Sequence, residues 1–357
     1  MRHFKFYLLW CLCILYSITS LASNPVFTDG PYIFYTKNGD IRVFDNIIDT
    51  VYKSKAQIQD FTVTSSNKNY SFNVSLQKKL FVANQSPIKY NLPDKIFALS
   101  DIHGNFEHLI ELLQKNEVID ENLNWRFSSN HLVILGDVFD RGNDVITTLW
   151  YIYQLEQQAV KVNGMVHYII GNHDAMTLKN DLRYCKEKYI KLAEKYKEKY
   201  SDFFNENSEL GRWLRSKNTI QIIGNHLFVH GGISLDFCNS GISINECNSL
   251  VCKYISTKRE NYPKVAKQDQ AKLELLFGST GPLWYRGLVS NKPKDKPINE
   301  KGLDLILNYF NVKHIVVGHT TFNTISQHHN GKVIAIDTKD EKTKHPHLYL
   351  GLMIDMK

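Results

Sequence analysis

The segment GDVFDRG, at residues 136–142, decides the fold of this chain. It follows the apolar run LVIL at residues 132–135, which is typical of a buried strand that ends at a glycine. Two aspartates and an arginine therefore lie on the loop after a strand. Open α/β sheets place their binding sites on such loops. The segment predicts an α/β fold with a charged site at this strand end.

Four other segments repeat this arrangement of an apolar run followed by Asp, Asn or His. They are SDIHG at 100–104, GNHD at 171–174, VHGG at 229–232 and VGHT at 317–320. The carboxyl ends of parallel strands meet at one edge of a sheet, so we expect the five loops to form one pocket. Their oxygen and nitrogen donors suit a pair of divalent transition metals better than a cysteine-rich structural zinc site.

The composition limits the chain to globular classes. Its 357 residues are 43% hydrophobic, which fits one large α/β domain with a small appendage better than two equal domains. The formal charge of +7 is mild and diffuse. This charge is compatible with an anionic substrate, but it does not indicate binding to nucleic acid. We therefore expect no nucleic acid partner.

Residues 1–22 have the pattern of a signal peptide. The basic start MRHFK precedes an apolar run at residues 6–16, and Ser20-Leu21-Ala22 is similar to a cleavage site. Cleavage predicts an exported protein, periplasmic or secreted, with no stable membrane partner. An uncleaved leader that anchors the chain in a membrane, or a buried first helix, is the alternative.

Four cysteines follow this leader, at positions 185, 238, 247 and 252. An oxidising compartment allows disulfides to persist. Pairing among Cys238, Cys247 and Cys252 and free buried thiols are equally plausible from the spacing.

Residues 23–92 show a pattern of short alternating strands. Asn38-Gly39 lies between two apolar runs and is a strong signal for a hairpin. No metal-binding motif occurs in this range. We predict a β-rich appendage that covers an edge or a face of the main sheet, with binding of a carbohydrate or a partner as the alternative.

Residues 93–357 form the predicted main domain. The first helix should bury Phe106, Leu109, Ile110 and Leu113, with Asn105 as its cap. The second helix should bury Val145, Ile146, Leu149, Trp150 and Tyr153.

An insertion at about residues 178–210 separates GNHD from VHGG. One helical face is predicted to carry Tyr189, Leu192, Tyr196, Tyr200 and Phe203. The pattern favours an amphipathic helix packed on the body of the domain. The alternative is a lid that shapes the substrate entrance.

The metal-binding residues fall into two sets that share Asp137. One set is Asp101, His103 and Asp137, and the other is Asp137, Asn172, His230 and His319. A bridging carboxylate holds two cations about 3.5 to 4 Å apart and acidifies a water between them towards hydroxide. That hydroxide is the expected nucleophile.

Three neighbouring residues complete this chemistry. His173 is expected to protonate the leaving oxygen, and Asp140 is expected to orient the ring of His173. Arg141 offers a planar fork to phosphoryl oxygens. The set predicts hydrolysis of a phosphate ester.

Taken in order, the five segments resemble the calcineurin-like metallophosphoesterases, and DRG and HGG resemble the phosphoprotein phosphatase branch. The runs GRWLRSKNTIQIIGNHLFVHGGIS at 211–234 and GPLWYRG at 281–287 are similar to the bacterial Shewanella-like phosphatases. The resemblance covers roughly residues 93–340. It implies a four-layer αββα fold with two central sheets, rather than the single doubly wound sheet that strand order alone suggests.

The resemblance also implies roles for single residues. The metal ligands of the family match Asp101, His103, Asp137, Asn172, His230 and His319. Its general acid, orienting carboxylate and phosphate-binding residues match His173, Asp140, Arg141, Asn172 and Arg286. Ser100 and Asp174 stand where the family usually has Gly and Glu, and the C-terminal aromatic loop of eukaryotic Ser/Thr phosphatases has no match.

We therefore expect a dinuclear phosphatase that uses two divalent ions, Mn, Fe or Zn, on phosphate monoesters of proteins or small molecules. The alternatives are a phosphodiesterase or nuclease, a dinucleoside polyphosphate hydrolase on the same core, and a catalytically silent binding module. The complete set of charged groups argues against the silent module, because a scaffold has no need to keep buried charges together.

Overall fold

The computed structural model describes residues 24–53, 58–77, 86–338 and 350–355. The predicted signal peptide lies outside these residues and stays a prediction. Within the described ranges, no helix is long and apolar enough to cross a membrane. Cys185, Cys238, Cys247 and Cys252 are all free thiols, so the structure favours that alternative over disulfide pairing.

The N-terminal region consists of two small sheets. Its strands are β1 (Val26–Thr28), β2 (Tyr32–Tyr35), β3 (Ile41–Phe44), β4 (Asp49–Tyr52), β5 (Asp60–Thr64) and β6 (Ser71–Ser75). One sheet has the order β1-β5-β6 and the other β2-β3-β4. The predicted hairpin around Asn38-Gly39 is confirmed, because β2 pairs antiparallel with β3.

The main domain contains two central sheets. The further strands are β7 (Lys89–Tyr90), β8 (Lys95–Leu99), β9 (His131–Ile134), β10 (Met165–Tyr168), β11 (Ile220–Ile223), β12 (His226–Val229), β13 (His314–Val317), β14 (Ser326–His328), β15 (Val333–Ala335) and β16 (Leu352–Asp355). One sheet has the order β10-β9-β8-β16, and the other has the order β14-β15-β13-β12-β11-β7. The single doubly wound sheet is therefore wrong, and the two-sheet fold is confirmed.

The alternation of side chains explains why the two sheets stack. Along β8, Ile96 and Ala98 belong to the apolar cluster between the sheets, whereas Phe97 and Leu99 pack into the larger cluster that includes the helices. Successive residues of a strand point to opposite faces, so each buried strand serves both layers. The cluster between the sheets consists of Ile96, Ala98, Val133, Leu135, Ile169, Ile223, Phe228, Val316, Ile334 and Ile336.

Helices cover the outer faces of the sheets. They are α1 (Phe106–Lys115), α2 (Val145–Val160), α3 (Asn172–Leu178), α4 (Glu187–Lys195), α5 (Glu209–Leu214), α6 (Leu235–Asn239), α7 (Ile244–Tyr254), α8 (Lys267–Leu276) and α9 (Glu300–Phe310). Short 3₁₀ helices occupy Tyr200–Phe204, Arg259–Lys264 and Pro293–Asp295. Both predicted helices bury the residues assigned to them. Asn105 precedes α1, but its side chain makes no capping hydrogen bond, so the predicted cap is wrong.

The two small N-terminal sheets pack on helices, whereas β7, at the end of the predicted appendage, pairs with β11 at an edge of the six-stranded sheet. Strands β5 and β6 contact α2, and β2 contacts α5. The carboxylate of Asp29 accepts hydrogen bonds from the backbone N–H groups of Ile146 and Thr147, each at 3.1 Å. These two donors lie in the first turn of α2, where backbone N–H groups lack helical partners. Asp29 therefore fixes the appendage to the start of this helix.

The insertion is not one continuous helix. Its helix α4 ends at Lys195, Lys197 has a left-handed backbone, and a 3₁₀ helix follows. Its aromatic side chains nevertheless pack together against the appendage: the ring of Phe44 lies 4.5 Å from that of Tyr196 and 5.0 Å from that of Phe203. These contacts favour the packed alternative over a mobile lid.

Candidate metal centre

Six of the predicted site residues lie on loops and have a left-handed backbone, whereas Asn172 and His173 begin helix α3. Left-handed backbone angles occur at Asp101 (φ 54°), His103 (50°), Asp137 (54°), Asp140 (72°), Arg141 (60°) and His319 (63°). Each such residue costs on the order of 1–3 kcal/mol, and it persists only where the surrounding structure holds it. This concentration of strain marks the loops as a functional site.

Asp137 lies at the centre of two clusters of possible ligands. One cluster contains His103, Asp137 and His173, and the other contains Asp137, His230 and His319. In each cluster one ligand atom from every residue lies within 4.8 Å of the others. Asp137 Oδ2 is 3.2 Å from His230 Nε2, and Asp137 Oδ1 accepts the backbone N–H of His173 at 2.8 Å. A carboxylate shared in this way fits the predicted bridge between two ions.

Asp101 and Asn172 complete the two clusters. Asp101 Oδ1 lies 3.9 Å from His103 Nε2, and Asp101 Oδ2 accepts the backbone N–H of His319 at 3.0 Å. Asn172 Oδ1 lies 2.9 Å from His230 Nε2. The structure therefore brings all six predicted ligands together at one edge of the sheets.

The ring nitrogens of the histidines are arranged for metal binding. His103 Nδ1 lies 2.7 Å from the carbonyl of Phe139, and His230 Nδ1 lies 2.6 Å from the carbonyl of Leu135. A backbone carbonyl at Nδ1 fixes the ring and leaves Nε2 for a metal. Among the described residues, the buried Nε2 atoms of His103 and His319 have no hydrogen-bond partner. These nitrogens fit divalent ions.

Burial makes the charges of this centre interdependent. Burial alone would raise the pKa of Asp137, but the ring of His230 holds it well below its usual value. Burial disfavours the charged ring of His230, yet Asp137 and Asp101 raise its pKa to about 10. Burial and the Asp337 carboxylate raise the pKa of Asp101 well above its usual value, whereas burial lowers that of His103 to about 3. Clustered buried carboxylates of this kind are stabilised by bound cations.

His173 and Asp140 form a close pair beside this centre. His173 Nδ1 lies 2.6 Å from Asp140 Oδ2, and both residues are buried. The hydrogen bond directs Nε2 of His173 away from Asp140. Arg141 Nη2 lies 3.4 Å from that Nε2 atom, so the imidazole and the guanidinium face the same space.

Tyr184 is a site residue that the sequence patterns missed. Its ring lies 5.0 Å from the ring of His173 and 5.7 Å from the guanidinium carbon of Arg141. Its carbonyl accepts the backbone N–H of Arg141 at 2.9 Å. The aromatic side chain is 48% exposed, so it can contact a substrate at this end of the site.

Arg286 reaches the centre through the VGHT loop. Its Nη1 atom donates to the carbonyl of His319 at 2.6 Å and to the hydroxyl of Thr320 at 3.0 Å. The nearby ring of Trp284 lies 5.6 Å from that of His319. The GPLWYRG segment thus places both side chains beside a predicted metal ligand.

Asp174 holds two of the loops together. Its carboxylate accepts backbone N–H groups from Gly171 at 2.8 Å, Val138 at 3.2 Å, Asp137 at 3.3 Å and Phe139 at 3.4 Å. The sequence marked Asp174 only as a departure from Glu. An acidic residue three positions after Gly171 and next to a motif histidine was the available signal for this positioning role.

Ser100 and Asp337 both influence the carboxylate of Asp101, Ser100 by a hydrogen bond and Asp337 by its charge. The Ser100 hydroxyl donates to the Asp101 carboxylate, and the Asp337 carboxylate accepts from the hydroxyl of Thr321 at 2.7 Å. In the sequence, Asp337 directly follows the apolar run VIAI at residues 333–336. Its position at a strand end, as at the other motifs, was a signal that it lies near the site.

The family model described as calcineurin-like phosphoesterase matches residues 94–321. The chain belongs to this family. Shewanella-like protein phosphatase 1 of Plasmodium berghei is 32% identical over 259 residues, which are 70% of this chain and 68% of that protein. An uncharacterized protein of Schizosaccharomyces pombe is 30% identical over 269 residues, which are 71% of this chain and 75% of that protein.

A solved structure extends the similarity to almost the whole chain. The crystal structure of a cold-active protein-tyrosine phosphatase from a psychrophilic Shewanella has a TM-score of 0.78 and is 33% identical. The match covers 92% of this chain and 94% of that one. The calcineurin-like resemblance and the four-layer fold are confirmed. The protein is a metal-dependent phosphatase, and the roles of single residues stay predictions.

Proposed function

We propose that the protein hydrolyses phosphate monoesters, including those on phosphorylated proteins, at a centre of two divalent ions bridged by Asp137. The position of Asp137 in both ligand clusters is the observation that carries this proposal. When bound, two divalent ions activate a water and neutralise the phosphoryl oxygens. The nitrogen and oxygen donors suit Mn, Fe or Zn.

His173 delivers the proton that the leaving group requires. Hydrolysis forms a bond from a water oxygen to phosphorus, with loss of one proton from that water to the solvent, and breaks the bond from phosphorus to the ester oxygen. The ester oxygen then takes a proton from His173 Nε2. Asp140 accepts the Nδ1–H of His173 at 2.6 Å and so orients the ring, and in the doubly protonated imidazolium Nε2 carries the proton that is transferred.

The phosphoryl group is held by residues on three sides of the centre. Arg141 lies beside His173, Arg286 lies beside His319, and the side chain of Asn172 lies in the second cluster. Guanidinium groups match the geometry of phosphoryl oxygens and remain charged at neutral pH. Their positions support binding of one terminal phosphate between the metals and the arginines.

A substrate panel tests this proposal. Protein without residues 1–22, loaded with Mn²⁺, should cleave an aryl phosphate monoester and phosphopeptides faster than a bis-aryl phosphate diester or a dinucleoside tetraphosphate. A chelator should abolish all cleavage, and added metal should restore it. Preferred cleavage of the diester or the tetraphosphate would overturn the monoester assignment. No hydrolysis of any of these compounds after metal loading would favour another phosphate substrate.

We also propose that the protein is exported. The basic, apolar and small-residue sections of residues 1–22 support this proposal. The N-terminal sequence of the protein recovered from cells should begin just after Ala22. An intact leader in the membrane fraction would instead favour the anchored alternative.

A further inference from the structure

A pocket of about 390 Å³ adjoins the metal centre. One of its walls is a single face of α3 and its C-cap, with Asn172, Ala175, Met176 and Lys179 at spacings of three, four and seven residues. Residues with these spacings lie above one another on a helix. Asn172 is a predicted metal ligand, so the pocket begins at the site of reaction and runs along α3 to Lys179.

Lys179 ends the pocket in an aromatic corner. Its Nζ atom lies 3.2 Å from the centre of the Phe277 ring and 5.6 Å from that of the Tyr262 ring. It also donates a hydrogen bond to the Tyr262 hydroxyl at 3.1 Å. The aromatic rings fix the position of the ammonium group, because a cation is attracted to a ring face.

No carboxylate neutralises Lys179 within the described part of the chain. The two acidic residues that line the pocket are already paired, Asp181 with Arg183 at 2.8 Å and Glu274 with Arg259 at 2.7 Å. Burial lowers the pKa of Lys179 to about 7. A half-buried ammonium without an anionic partner gains from an anion that enters the pocket.

The spacing along α3 indicates what kind of molecule carries that anion. Seven helical residues span about 10 Å, so a group at Lys179 lies about that far from a phosphate at Asn172. Ala175 and Met176 occupy the wall between them and offer no charge. A polyphosphate would place charges all along this wall. An extended peptide covers about 3.3 Å per residue, so about three residues separate two anionic side chains at this distance.

We propose that Lys179 selects phosphoprotein substrates that carry Asp or Glu two to three residues from the phosphorylated residue. This inference rests on the proposed phosphatase function and names its substrate class. Lys179 contacts the substrate away from the phosphorus atom, so it determines specificity and takes no part in phosphoryl transfer.

Peptide kinetics test this proposal. Alanine-rich peptides with a central phosphotyrosine or phosphoserine would carry one Asp at position −3, −2, +2 or +3, with an all-Ala parent. We expect at least one Asp position to raise kcat/KM about tenfold over the parent, as a charged hydrogen bond does. Lys179→Met should bring this ratio close to one, and Lys179→Arg should retain most of it.

Two controls keep the test decisive. Lys267→Met removes the same charge from an exposed position at the start of α8 and should leave the peptide ratio unchanged. The melting temperature and bound metal of each variant show that it is folded. If the wild-type protein cleaves an aryl phosphate but shows no preference for Asp-containing peptides, the proposed role of Lys179 is wrong and the phosphatase function stands. The same conclusion follows if the preference for Asp survives in Lys179→Met. A wild-type protein that cleaves no monoester overturns the proposed function instead.

Discussion

At the scale of single residues, the proposed function assigns His173 the role of protonating the leaving oxygen. Its ring is bound at Nδ1 by Asp140 and faces Arg141 at Nε2. Because the proposed role of the His173 side chain is that of the acid and not of a main metal ligand, its removal should affect turnover more than metal content. The benefit of an acid also depends on the leaving group, since a stable leaving anion needs little protonation.

His173→Ala should therefore lower kcat by roughly 10²- to 10⁴-fold for an alkyl phosphate and by less for a nitrophenyl phosphate. Bound metal should remain close to that of the wild type. His328→Ala, on strand β14 and outside both ligand clusters, is the matched control and should change neither value. Equal losses for both leaving groups would make His173 a phosphate or metal ligand instead of the acid.

At the scale of elements, the insertion is tied to the body by the hydroxyl of Tyr189. This hydroxyl donates to Asp29 at 2.6 Å and accepts the backbone N–H of Val145 at 2.9 Å. One side chain of α4 thereby joins the appendage to the start of α2. The contact indicates that the insertion braces the appendage, although Tyr184 at its beginning still borders the site.

Tyr189→Phe should lower the free energy of unfolding by about 1–3 kcal/mol, because it leaves a buried N–H and a buried carboxylate without this partner. The relative kcat/KM values for phosphopeptides and an aryl phosphate should not change, since a loss of stability scales both equally. Tyr309→Phe, at a side chain that is 53% exposed, should have no effect on unfolding. A changed substrate ratio with unchanged stability would support the lid alternative.

At the scale of the whole molecule, the sequence predicted most strands but not their division between two sheets. Runs such as Ile96–Leu99 in one sheet and Ile315–Val317 in the other are both buried and apolar. Pairing between distant segments decides which sheet each strand joins, and a local pattern carries no information about it. The two-sheet arrangement followed only from the family resemblance.

The site residues that could be predicted have a local sequence signal, whereas those that could not depend on contacts between distant segments. The metal-type residues are chemically distinctive and follow strands, so their meeting point could be inferred from the sequence. The environments of Lys179 and Tyr184 depend on side-chain contacts with other segments, such as Phe277 for Lys179 and His173 for Tyr184. The helix predicted from Tyr189 through Phe203 is wrong as one continuous element, because the repeat of apolar residues continues beyond the end of α4 at Lys195.

The most direct test of the account is the metal content and activity of Asp137→Asn. The proposed bridge at Asp137 requires a charged carboxylate to serve both ions. We therefore predict that the variant loses metal at both sites and that kcat/KM for an aryl phosphate falls at least about a hundredfold. Asp304→Asn, an exposed change on α9, should retain wild-type metal content and turnover. Two tightly bound ions and near-normal turnover in Asp137→Asn would contradict the bridging role of Asp137.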